Sequence, residues 1–546
     1  MPIPQSTPVR FTPRGLADAF DATDVFPGAC RKLSNLVFDP SNPEIVIARP
    51  GVGTPLTSFA GFSSPGFISL QVTVGTRVYG MVATQLTPGF DQPFCYDLTT
   101  SSFITISGVT AGNAEGRPAT PATTGDWIPP TLAVVGVKVI ITHPGYAGTA
   151  GKFFGVIDIT NPAAPAYSTA NTATNLLPSV PTSVANFNNR AYFACGNVVY
   201  YSDVLVPTTI TNAGQAITMG DSTAIIGQSG LPVQTTSGGV ISALLVFKSN
   251  QIWQITGDAA VTGSLSTNYL SLNIGCSAAR SIVSAPMGVI FAGPDTAYLV
   301  TPIGSIIPVA NQLGLPNATP DLRTPFGYVT TPSRVAAAFA GTIYRICIPT
   351  IVDGIPGTYD YWFDTRRLRW TGPHTFVYDC ASSAGTYFIL SGYATANAIF
   401  RNDPYPRTVS TSYTDNGVAY NVDMLSSDFP KRDEMAMKQV VESTIELSSS
   451  GASVAYSVQA FNGMGDVLGL ATVTTPVTGG LWGSNLWGDG TKWASALNQP
   501  RTYLLAWPNT LVFNKMALEV RAVAATNVAI GTFYARTQQT GYTLQT

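Results

Sequence analysis

A hairpin-like phrase that recurs along the chain constrains the fold more than any other feature of the sequence. Its clearest copy is YDYWFDTRRLRWTG, residues 359–372, in which large apolar and polar side chains alternate, break at D-T-R-R and resume at L-R-W. Alternation with a period of two is typical of a β-strand. Tyr359, Tyr361 and Phe363 are predicted to point to one side of this strand and Trp362 to the other, so both faces are expected to be buried.

Degraded copies of the phrase follow one another at intervals of about 45 to 60 residues, the range expected for propeller blades. They are RVYGMVATQ with FCYDLTTSSFITISG, KVIITHPG with FFGVIDITNPAAPAYS, RAYFACGNVVYYSDVLVPTTI, ALLVFKSNQIWQITGD, GVIFAGPDTAYLVTPIGSIIPV, TIYRICIPT with the first phrase, and TYFILSGYATANAIFRNDP. A lone hairpin is marginally stable in water, so each unit must bury its face against the next. The sequence therefore predicts an all-β fold with a β-propeller of six or seven blades.

The repeat occupies only the middle of the chain, which predicts three regions. Residues 1–60 form a Pro-rich, extended N-terminal arm with short strands, residues 61–404 the propeller, and residues 405–546 a β-sandwich-like domain. The best helix candidate is 431–444, although its second half also fits a strand. A Trp- and Gly-rich loop at 479–493 carries three tryptophans that we expect to fold back over the sandwich edge, with an exposed contact as the alternative: Trp482, Trp487 and Trp493.

Composition points towards assembly rather than towards a charged ligand. Only 11% of the 546 residues are charged, against roughly 25% in ordinary globular proteins. A weakly charged surface is poorly protected against association, which is tolerable if neighbouring subunits cover it. The formal net charge of -2 argues against a dedicated basic surface for nucleic acid.

No targeting or membrane signal is visible. The start, MPIPQSTPVRF, lacks the basic and apolar regions of a secretory signal, so we expect synthesis in the cytosol. The longest apolar run, TLAVVGVKVIIT at 131–142, is too short for a membrane helix and fits a buried strand. Six cysteines stand far apart without a CxxC pair and are predicted to be free, buried thiols: Cys30, Cys95, Cys195, Cys276, Cys347 and Cys380.

Histidine chemistry has little support in the sequence. The only two histidines, His143 in THPG and His374 in GPHT, look like structural turn residues without a partner at motif spacing. No HExxH and no Cys/His cluster is present, so a histidine-ligated zinc site is not expected. No GxGxxG follows a strand, and no GxxxxGK[ST] occurs, so we predict neither a metal nor a cofactor.

Two segments invite a hydrolytic interpretation. MGDST at 219–223 resembles the Gly-Asp-Ser block of a hydrolase family, but neither histidine has Asp three residues before it. We therefore predict a turn in which Asp221 and Ser222 bond local backbone. Asp360 and Asp364 would lie about 13 Å apart on one strand face, too far for glycoside hydrolysis, and are predicted to cap blade turns.

A short basic cluster follows these acids: Arg366, Arg367 and Arg369. Contact with phosphates is one interpretation, and a solvated turn is the expected one. No catalytic, cofactor-binding or metal-binding residue is predicted.

Several short segments resemble one family of viral proteins. C-R-K-L-S-N at 30–35 followed by A-R-P-G at 48–51 resembles the opening of the tail hub, nozzle or packaged-DNA stabilisation proteins of short-tailed bacteriophages. F-K-S-N-Q-I-W-Q-I-T-G-D at 247–258 and Y-W-F-D-T-R-R-L-R-W at 361–370 are similar to the blades of that family, and F-Y-A-R-T-Q at 533–538 fits its end. The resemblance spans nearly the whole chain through short, divergent motifs.

The resemblance implies a non-enzymatic structural protein of the virion tail, assembled in the host cytoplasm. Members of the family form a homohexameric ring beneath the portal and its adaptor, continue the DNA channel, retain the packaged genome and conduct it at ejection. Tail fibres or a terminal plug attach to the same ring in some members. Double-stranded DNA passes through the lumen without sequence-specific binding. Arg49, Pro50 and Gly51 match a family motif and are expected to form a turn.

Two other functions stay open at this point. A propeller glycan hydrolase or depolymerase would need two carboxylates converging in a pocket at the propeller axis. A non-catalytic glycan-binding adhesion module would use the tryptophans of the 479–493 loop to stack on sugars.

Overall fold

The described part of the chain is almost entirely β-structure. The computed structural model describes residues 6–17, 28–58, 65–84, 92–109, 131–143, 145–146, 153–169, 173, 176–234, 240–261, 264–309, 322–352, 354–392, 398–405, 412–430, 436–449, 452–476, 501–524 and 526–542. The helical elements described over their full length in these ranges are helix α1 (Thr324–Gly327) and the 3-10 turns Ala279–Ser281 and Pro332–Arg334. None of the helices in these ranges has the length and apolar character needed to cross a membrane.

Six short strands precede the repeat. They are β1 (Ser6–Phe11), β2 (Gly15–Leu16), β3 (Ala29–Ser34), β4 (Leu36–Phe38), β5 (Val46–Ala48) and β6 (Thr57–Ser58). Strand β6 is followed by the first strand of the repeat region.

The repeat region then folds into four-stranded antiparallel units, here called blades. Blade 1 contains β7 (Pro65–Val74), β8 (Arg77–Thr84), β9 (Gln92–Asp97) and β10 (Ser102–Ile104), and blade 2 contains β11 (Leu132–Val135), β12 (Lys138–Ile141), β13 (Gly155–Asp158) and β14 (Ala166–Ser168). Blade 3 contains β15 (Ser183–Phe187), β16 (Arg190–Cys195), β17 (Val198–Tyr201) and β18 (Ala216–Thr218), and blade 4 contains β19 (Gly227–Gln234), β20 (Val240–Phe247), β21 (Ile252–Thr256) and β22 (Ser266–Ser271).

The remaining blades follow the same order of strands. Blade 5 contains β23 (Val283–Ala285), β24 (Gly288–Ala292), β25 (Ala297–Val300) and β26 (Ile306–Pro308), and blade 6 contains β27 (Ala336–Ala340), β28 (Ile343–Val352), β29 (Ile355–Asp364) and β30 (Arg369–His374). Blade 7 contains β31 (Cys380–Ala384), β32 (Tyr387–Ser391) and β33 (Ala398–Asn402), and its fourth strand is β6 from the N-terminal region. Ala398 pairs with Ser58 there, so a strand from before blade 1 completes the last blade.

The blades close into a ring through apolar contacts between neighbours. One buried cluster joins blades 1 and 2, another joins blades 3 and 4, and a third joins blades 7 and 1. Similar clusters join blades 2 and 3, 4 and 5, 5 and 6, and 6 and 7. Blades 1 to 5 and blade 7 are separate four-stranded sheets. Blade 6 completes the ring between blades 5 and 7, and its strands belong to a larger sheet that continues into the C-terminal part. The predicted all-β propeller is confirmed.

The C-terminal part supplies nine further strands. They are β34 (Thr414–Asp415), β35 (Val418–Ser426), β36 (Ala436–Ser449), β37 (Val454–Asn462), β38 (Val467–Thr475), β39 (Arg501–Leu504), β40 (Val512–Phe513), β41 (Met516–Ala524) and β42 (Val528–Tyr542). One seven-stranded sheet contains β36 and β42 together with β1, β4 and β5. The other has the order β30-β3-β35-β41-β37-β38 and begins at the outer strand of blade 6.

The N-terminal strands thus lie within the sheets of the C-terminal sandwich. Strand β1 pairs with β42 from Ser6↔Gln538 to Phe11↔Phe533, and β3 pairs with β35. The apolar core between the two sheets is continuous with the core between blades 5 and 6. Propeller and sandwich therefore share one core.

The hairpin phrase behaves as its alternation predicts. Tyr361 and Phe363 are buried in the core shared with the sandwich, and Tyr359 packs against the same core. Trp362, on the opposite face of β29, is buried in the core between blades 6 and 7. The two-sided burial is confirmed, because each blade packs against a neighbour on both of its faces.

The helix suggested at 431–444 is wrong where the structure describes it. Residues 436–449 form the long strand β36, which pairs with β42 along its length. Isolated helix-forming residues at its start are outweighed by the β-branched run that follows and by pairing on both edges. Residues 431–435 lie outside the described residues, as does the whole tryptophan loop at 479–493.

Candidate functional site

A cavity of about 220 Å³ lies on the propeller axis, where a pocket of this fold would be sought. Its walls come from the beginnings of the innermost strands and from the 3-10 turn before blade 5: Thr131, Leu132, Val184, Gln228, Ala279, Arg280, Ile282, Ala336, Ala337, Cys380 and Ala381. Because innermost strands all run in one direction, the cavity belongs to the end of the propeller at which those strands begin. We call this the strand-start end.

The cavity wall combines small aliphatic side chains with a lining surface that is more polar than apolar. Arg280 is the one charged residue among the described lining residues, and its guanidinium donates to the Ser333 carbonyl oxygen at 2.9 Å and to Cys380 Sγ at 3.3 Å. Burial raises the pKa of Cys380 to about 11, so this thiol stays protonated and is a poor nucleophile at neutral pH. None of the described residues lining the cavity is Asp or Glu.

The cysteines lie as the sequence predicts. All six cysteines are buried and outside any disulfide, which confirms the prediction of buried thiols. Over the described ranges, no group of three or more His, Cys, Asp or Glu side chains is arranged to hold a metal ion.

A buried polar network lies where the N-terminal segment, blade 6 and the sandwich meet. Asn35 follows β3 with a left-handed backbone (φ 57°), and its side chain accepts a bond from Arg49 Nε at 3.0 Å and donates to the Asn421 carbonyl oxygen at 2.7 Å. Arg49 is fully buried, forms a two-pronged ion pair with Asp415, and lies 4.4 Å from the ring centre of Tyr420. These contacts fix residues from both ends of the chain to one another.

The backbone beside Arg49 is tightly packed. A Cβ atom added to Gly51 would come within 2.3 Å of the Thr414 carbonyl oxygen, which leaves room only for glycine. The Pro50 carbonyl oxygen accepts from Arg49 Nη1 at 3.1 Å and from Asn402 Nδ2 at 3.0 Å. The motif A-R-P-G is therefore a close-contact segment that joins the sandwich to blade 7.

A second buried ion pair lies inside the propeller, between blades 6 and 7. Arg345 and Asp360 are both fully buried, and their closest N–O distance is 2.8 Å. Trp362 Nε1 donates to the same carboxylate at 2.7 Å, and the Tyr378 hydroxyl donates to it at 3.1 Å. Burial raises the pKa of Asp360 above its ordinary value, although the charge of Arg345 opposes this shift.

The two ion pairs form one connected network. Asn402 accepts from Arg345 Nη1 at 2.7 Å through its side-chain oxygen and donates to the Pro50 carbonyl oxygen, which also bonds Arg49. We call the whole set, Asn35, Arg49, Arg345, Asp360, His374, Asn402 and Asp415, the junction network. It links blade 6, blade 7, the N-terminal segment and the sandwich.

His374 belongs to this network, and His143 does not. His374 is buried, and its Nδ1 accepts from the backbone N–H of Asn35 at 2.9 Å, so the ring is neutral. Burial, together with the nearby charges of Arg49 and Arg345, holds the pKa of His374 well below its ordinary value. His143 Nδ1 accepts from the Gly145 backbone N–H at 2.9 Å, which closes a local turn. Both histidines are structural in their described contacts.

The Gly-Asp-Ser segment forms a turn, as predicted for Asp221. The Asp221 carboxylate accepts from the Thr223 backbone N–H at 3.1 Å and from Lys248 Nζ at 2.7 Å. Lys248 is fully buried and also donates to the Met219 carbonyl oxygen at 2.6 Å, so the pair ties blade 3 to blade 4. The structure does not bring Ser222 together with either histidine.

Asp364 and Asp360 differ, although the sequence predicted the same role for both. Asp364 caps the blade turn, accepting from the backbone N–H groups of Arg366 at 2.9 Å and Arg367 at 3.2 Å. The prediction for Asp360 is wrong, because its side chain points between the blades and pairs with Arg345. Arg367 is mostly buried and donates to the Asp39 carbonyl oxygen at 2.6 Å, whereas Arg366 is exposed.

Part of the junction network has a signal in the sequence, namely single charged residues within otherwise apolar strands. Arg345 stands in T-I-Y-R-I-C-I-P and Asp360 in Y-D-Y-W-F, where a lone charge needs a partner because burial of an unpaired charge is costly. Arg49 and Asp415 lie 366 positions apart. No local pattern marks a pair at that separation.

Comparisons with known proteins identify no family for this chain. No family model and no curated protein matches this sequence. Among solved structures, the Dos1 propeller aligns with 68% of this chain and 92% of its own at 10% identity and a TM-score of 0.35. The β-propeller domain of the Trilobed protease from Pyrococcus furiosus, described as having an open velcro topology, aligns with 64% of this chain and 99% of its own, at 9% identity and a TM-score of 0.35.

A mutant puromycin hydrolase complexed with PGG aligns with 69% of this chain at 11% identity and a TM-score of 0.33. The alignment spans 61% of that hydrolase. Similarity at this level concerns the fold alone, and the activities of these proteins remain theirs.

Proposed function

We propose that this chain is a structural protein of a short bacteriophage tail, a hub or nozzle subunit that assembles into a ring around the DNA path. The ring extends the channel of the portal and its adaptor, retains packaged DNA and conducts it at ejection. A subunit of such a wall must stay one rigid body while DNA under pressure passes beside it.

The observation that carries the proposal is the position of the motifs that gave the resemblance. C-R-K-L-S-N ends at Asn35 and A-R-P-G contains Arg49, and the two side chains meet 3.0 Å apart in the junction network. The segments at 247–258 and 361–370 form hairpins of blades 4 and 6, and 533–538 lies in β42 paired with β1. Apart from 247–258, which lies within the propeller, the family-like segments thus lie where the N-terminal segment, blade 6 and the sandwich meet.

The charge of the chain also suits a DNA conduit. The sequence has 28 basic and 30 acidic residues, and many of its described charges are already paired within the molecule. Each Lys or Arg that neutralised a phosphate would add salt-dependent affinity, and a wall that must release DNA has to avoid this. We therefore expect weak, sequence-independent contact with DNA and no retention by base recognition.

The glycan-hydrolase alternative has less support. It requires a pair of carboxylates at the axis, and the described lining of the axial cavity offers Arg280 and no carboxylate. The adhesion alternative depends on the tryptophan loop, which lies outside the described residues.

Electron microscopy of the purified full chain, alone and after incubation with portal and adaptor proteins, tests the proposal. The expected result is a six-fold ring that docks coaxially on the portal complex. A chain that stays separate from tails and portals at every concentration contradicts it. Release of reducing ends from host polysaccharide, lost in blade Asp→Asn variants, would support the hydrolase instead.

A further inference from the structure

The axial cavity is polar although many of its side chains are small and aliphatic. Its lining surface is more polar than apolar, yet Ala336, Ala337 and Ala381 contribute only methyl groups as side chains. The innermost strand of each blade is an edge strand, and an edge strand carries backbone N–H and C=O groups that no ladder partner engages. The polar surface must therefore come largely from the backbone and from the few polar side chains.

The register of the innermost hairpins shows which backbone groups face the axis. A two-residue turn joins the first two strands of blades 2, 3, 6 and 7, and the closing pairs are Val135↔Lys138, Phe187↔Arg190, Ala340↔Ile343 and Ala384↔Tyr387. The pair that closes such a turn is hydrogen-bonded, and bonded and non-bonded pairs alternate along an antiparallel ladder. The third residue before each closing residue therefore points its N–H and C=O away from its own blade and towards the axis.

These third residues are all lining residues of the cavity: Leu132, Val184, Ala337 and Ala381. Two hydrogen bonds between blades confirm the orientation. The Val184 N–H donates to Thr131 Oγ1 of blade 2 at 2.7 Å, and the Val134 carbonyl oxygen accepts from Asn186 Nδ2 of blade 3 at 2.8 Å. The backbone thus gives the cavity wall both donors and acceptors.

Gln228 adds a side-chain amide to this wall. It lies on β19 of blade 4 and lines the cavity, and its amide nitrogen and oxygen are both buried without a hydrogen-bond partner among the described residues. A buried amide without partners costs free energy, and such groups are normally satisfied by another polar group. An occupant of the cavity that both donates and accepts would satisfy this amide.

The charge beside the cavity is positive. Arg280 lies in the wall and donates to the Ser333 carbonyl oxygen at 2.9 Å, which fixes its guanidinium there. Asp379, next to the lining residue Cys380, is held by Arg334 Nη2 through both of its oxygens at 3.0 Å and 2.8 Å. Two arginines and one aspartate leave one positive charge at this side of the cavity. Since charges attract more strongly away from bulk water, an anionic occupant is favoured over a neutral one.

The size of the cavity suits a small organic molecule. A cavity of about 150 Å³ with apolar walls admits benzene, and the axial cavity measures about 220 Å³. A hydrocarbon of this size would leave the inward backbone groups and the Gln228 amide without partners, so the wall selects against it.

We propose that the axial cavity binds a small carboxylate that also carries a hydroxyl or amide group. The carboxylate is placed by the charge of Arg280, and the second group pairs with the Gln228 amide and with the inward backbone groups. This binding site goes beyond the structural role proposed above and does not depend on it.

The first test compares three probes of nearly equal size with the purified full chain by titration calorimetry: lactate, isobutyrate and lactamide. Isobutyrate replaces the hydroxyl of lactate with a methyl group, and lactamide replaces its charge with a neutral amide. Lactate should bind saturably with a dissociation constant in the millimolar range or below, and each of the other two about tenfold more weakly. Equal binding of lactate and either analogue, or binding of none of the three, overturns the proposal.

The second test removes the amide. Gln228→Leu keeps most of the side-chain volume and should weaken lactate binding about tenfold. Its melting temperature should equal or exceed that of the wild type, because a buried amide without partners is lost. Gln459→Leu, the same substitution on β37 of the sandwich, is the matched control and should bind lactate as the wild type does. Unchanged lactate binding by Q228L overturns the proposal.

The third test concerns the charge. Arg280 also holds the Ser333 segment, so its variants are judged by the ratio of the lactamide and lactate dissociation constants, which compares two probes within one protein. Arg280→Lys should keep the preference for lactate, and Arg280→Gln should abolish it. A preference kept in R280Q overturns the proposal. If R280Q does not fold, Ala337→Leu takes its place: it fills the cavity and should abolish lactate binding, and retained binding overturns the proposal.

Discussion

Blades 1 to 5 and the junction are both well buried, but they are held together by different forces. Neighbouring blades meet through apolar clusters with aromatic pairs, such as Phe154–Phe193 at 4.6 Å between ring centres and Phe247–Phe291 at 5.0 Å. The junction instead buries charged groups, including Arg49 and the pair Arg345–Asp360. The interfaces between blades depend on buried apolar area, whereas the junction depends on the geometry of its hydrogen bonds and ion pairs.

The difference follows from what each region must join. Each blade meets a neighbour of the same shape, so hydrophobic burial gives sufficient stabilisation and tolerates variation in side-chain packing. At the junction, the N-terminal segment, two blades and the sandwich must meet in one register, and hydrogen-bonded ions are satisfied only in one arrangement. The junction network therefore specifies how propeller and sandwich fit together.

The largest expected effect comes from breaking the fully buried ion pair. Arg345→Met leaves Asp360 buried without its cation, and the loss should be about 3–5 kcal/mol of unfolding free energy. Phe193→Leu, at a blade interface, should cost less than about 1.5 kcal/mol because apolar volume is nearly kept. Denaturant unfolding of both variants measures the contrast. Equal losses would remove the distinction between the two regions.

A smaller effect is expected at the rim of the junction network. Arg49→Met should cost about 3 kcal/mol, the low end for a broken buried pair, because the Asp415 side chain is 16% exposed and stays partly hydrated. Hydrogen exchange of β3 and β5 should become faster in this variant while exchange in blades 2 to 4 stays unchanged. Faster exchange throughout the propeller would show that the N-terminal segment supports more than the junction.

As the pH falls, we expect the junction to lose stability before the interfaces between blades do. The pKa of His374 is well below 6.5 in the folded chain, so the unfolded chain takes up a proton first as the pH falls. The stability contribution of the neutral ring is complete above pH 6.5 and decreases below it, by about 1.4 kcal/mol per pH unit. His374→Gln should flatten the slope of stability between pH 6.5 and 4.5. An unchanged slope in that variant would contradict this assignment.

The smallest effect should come from an exposed ion pair. Arg10 and Glu44 lie 3.2 Å apart, with 51% and 54% of their side chains exposed. Glu44→Ala should change stability by less than about 0.5 kcal/mol, because water and salt screen such pairs. Thermal unfolding in low and high salt gives the comparison. A loss as large as that of Arg49→Met would mean that burial is not what separates the two kinds of pair.

The parts of the fold that depend on local pattern could be predicted from the sequence. Each blade is a run of neighbouring hairpins, so alternation in 359–372 was enough to predict two-sided burial of Tyr361 and Trp362. The cap role of Asp364 also follows from its position before a turn. Local spacing carries this information because the bonded groups are two or three residues apart.

The parts that depend on distant pairing could not be predicted. Strand β6 completes blade 7 from a position before blade 1, through the pair Ala398↔Ser58, and the partner of Arg49 is Asp415. Asp360 lies on a strand like Asp364, but only the position of Arg345 on the neighbouring strand decides its role. The composition of 436–449 fits a helix at its start and a strand in its second half, and pairing with β42 decides for the strand.

The most direct measurement of the central claim is immunogold electron microscopy of virions produced from the genome that encodes this chain, using an antibody against a blade surface. The account predicts label on a six-fold ring between the portal vertex and the tip of a short tail, and its loss in particles assembled without this chain. Label on fibres or the capsid, or no label on intact virions that carry complete tails, would contradict it.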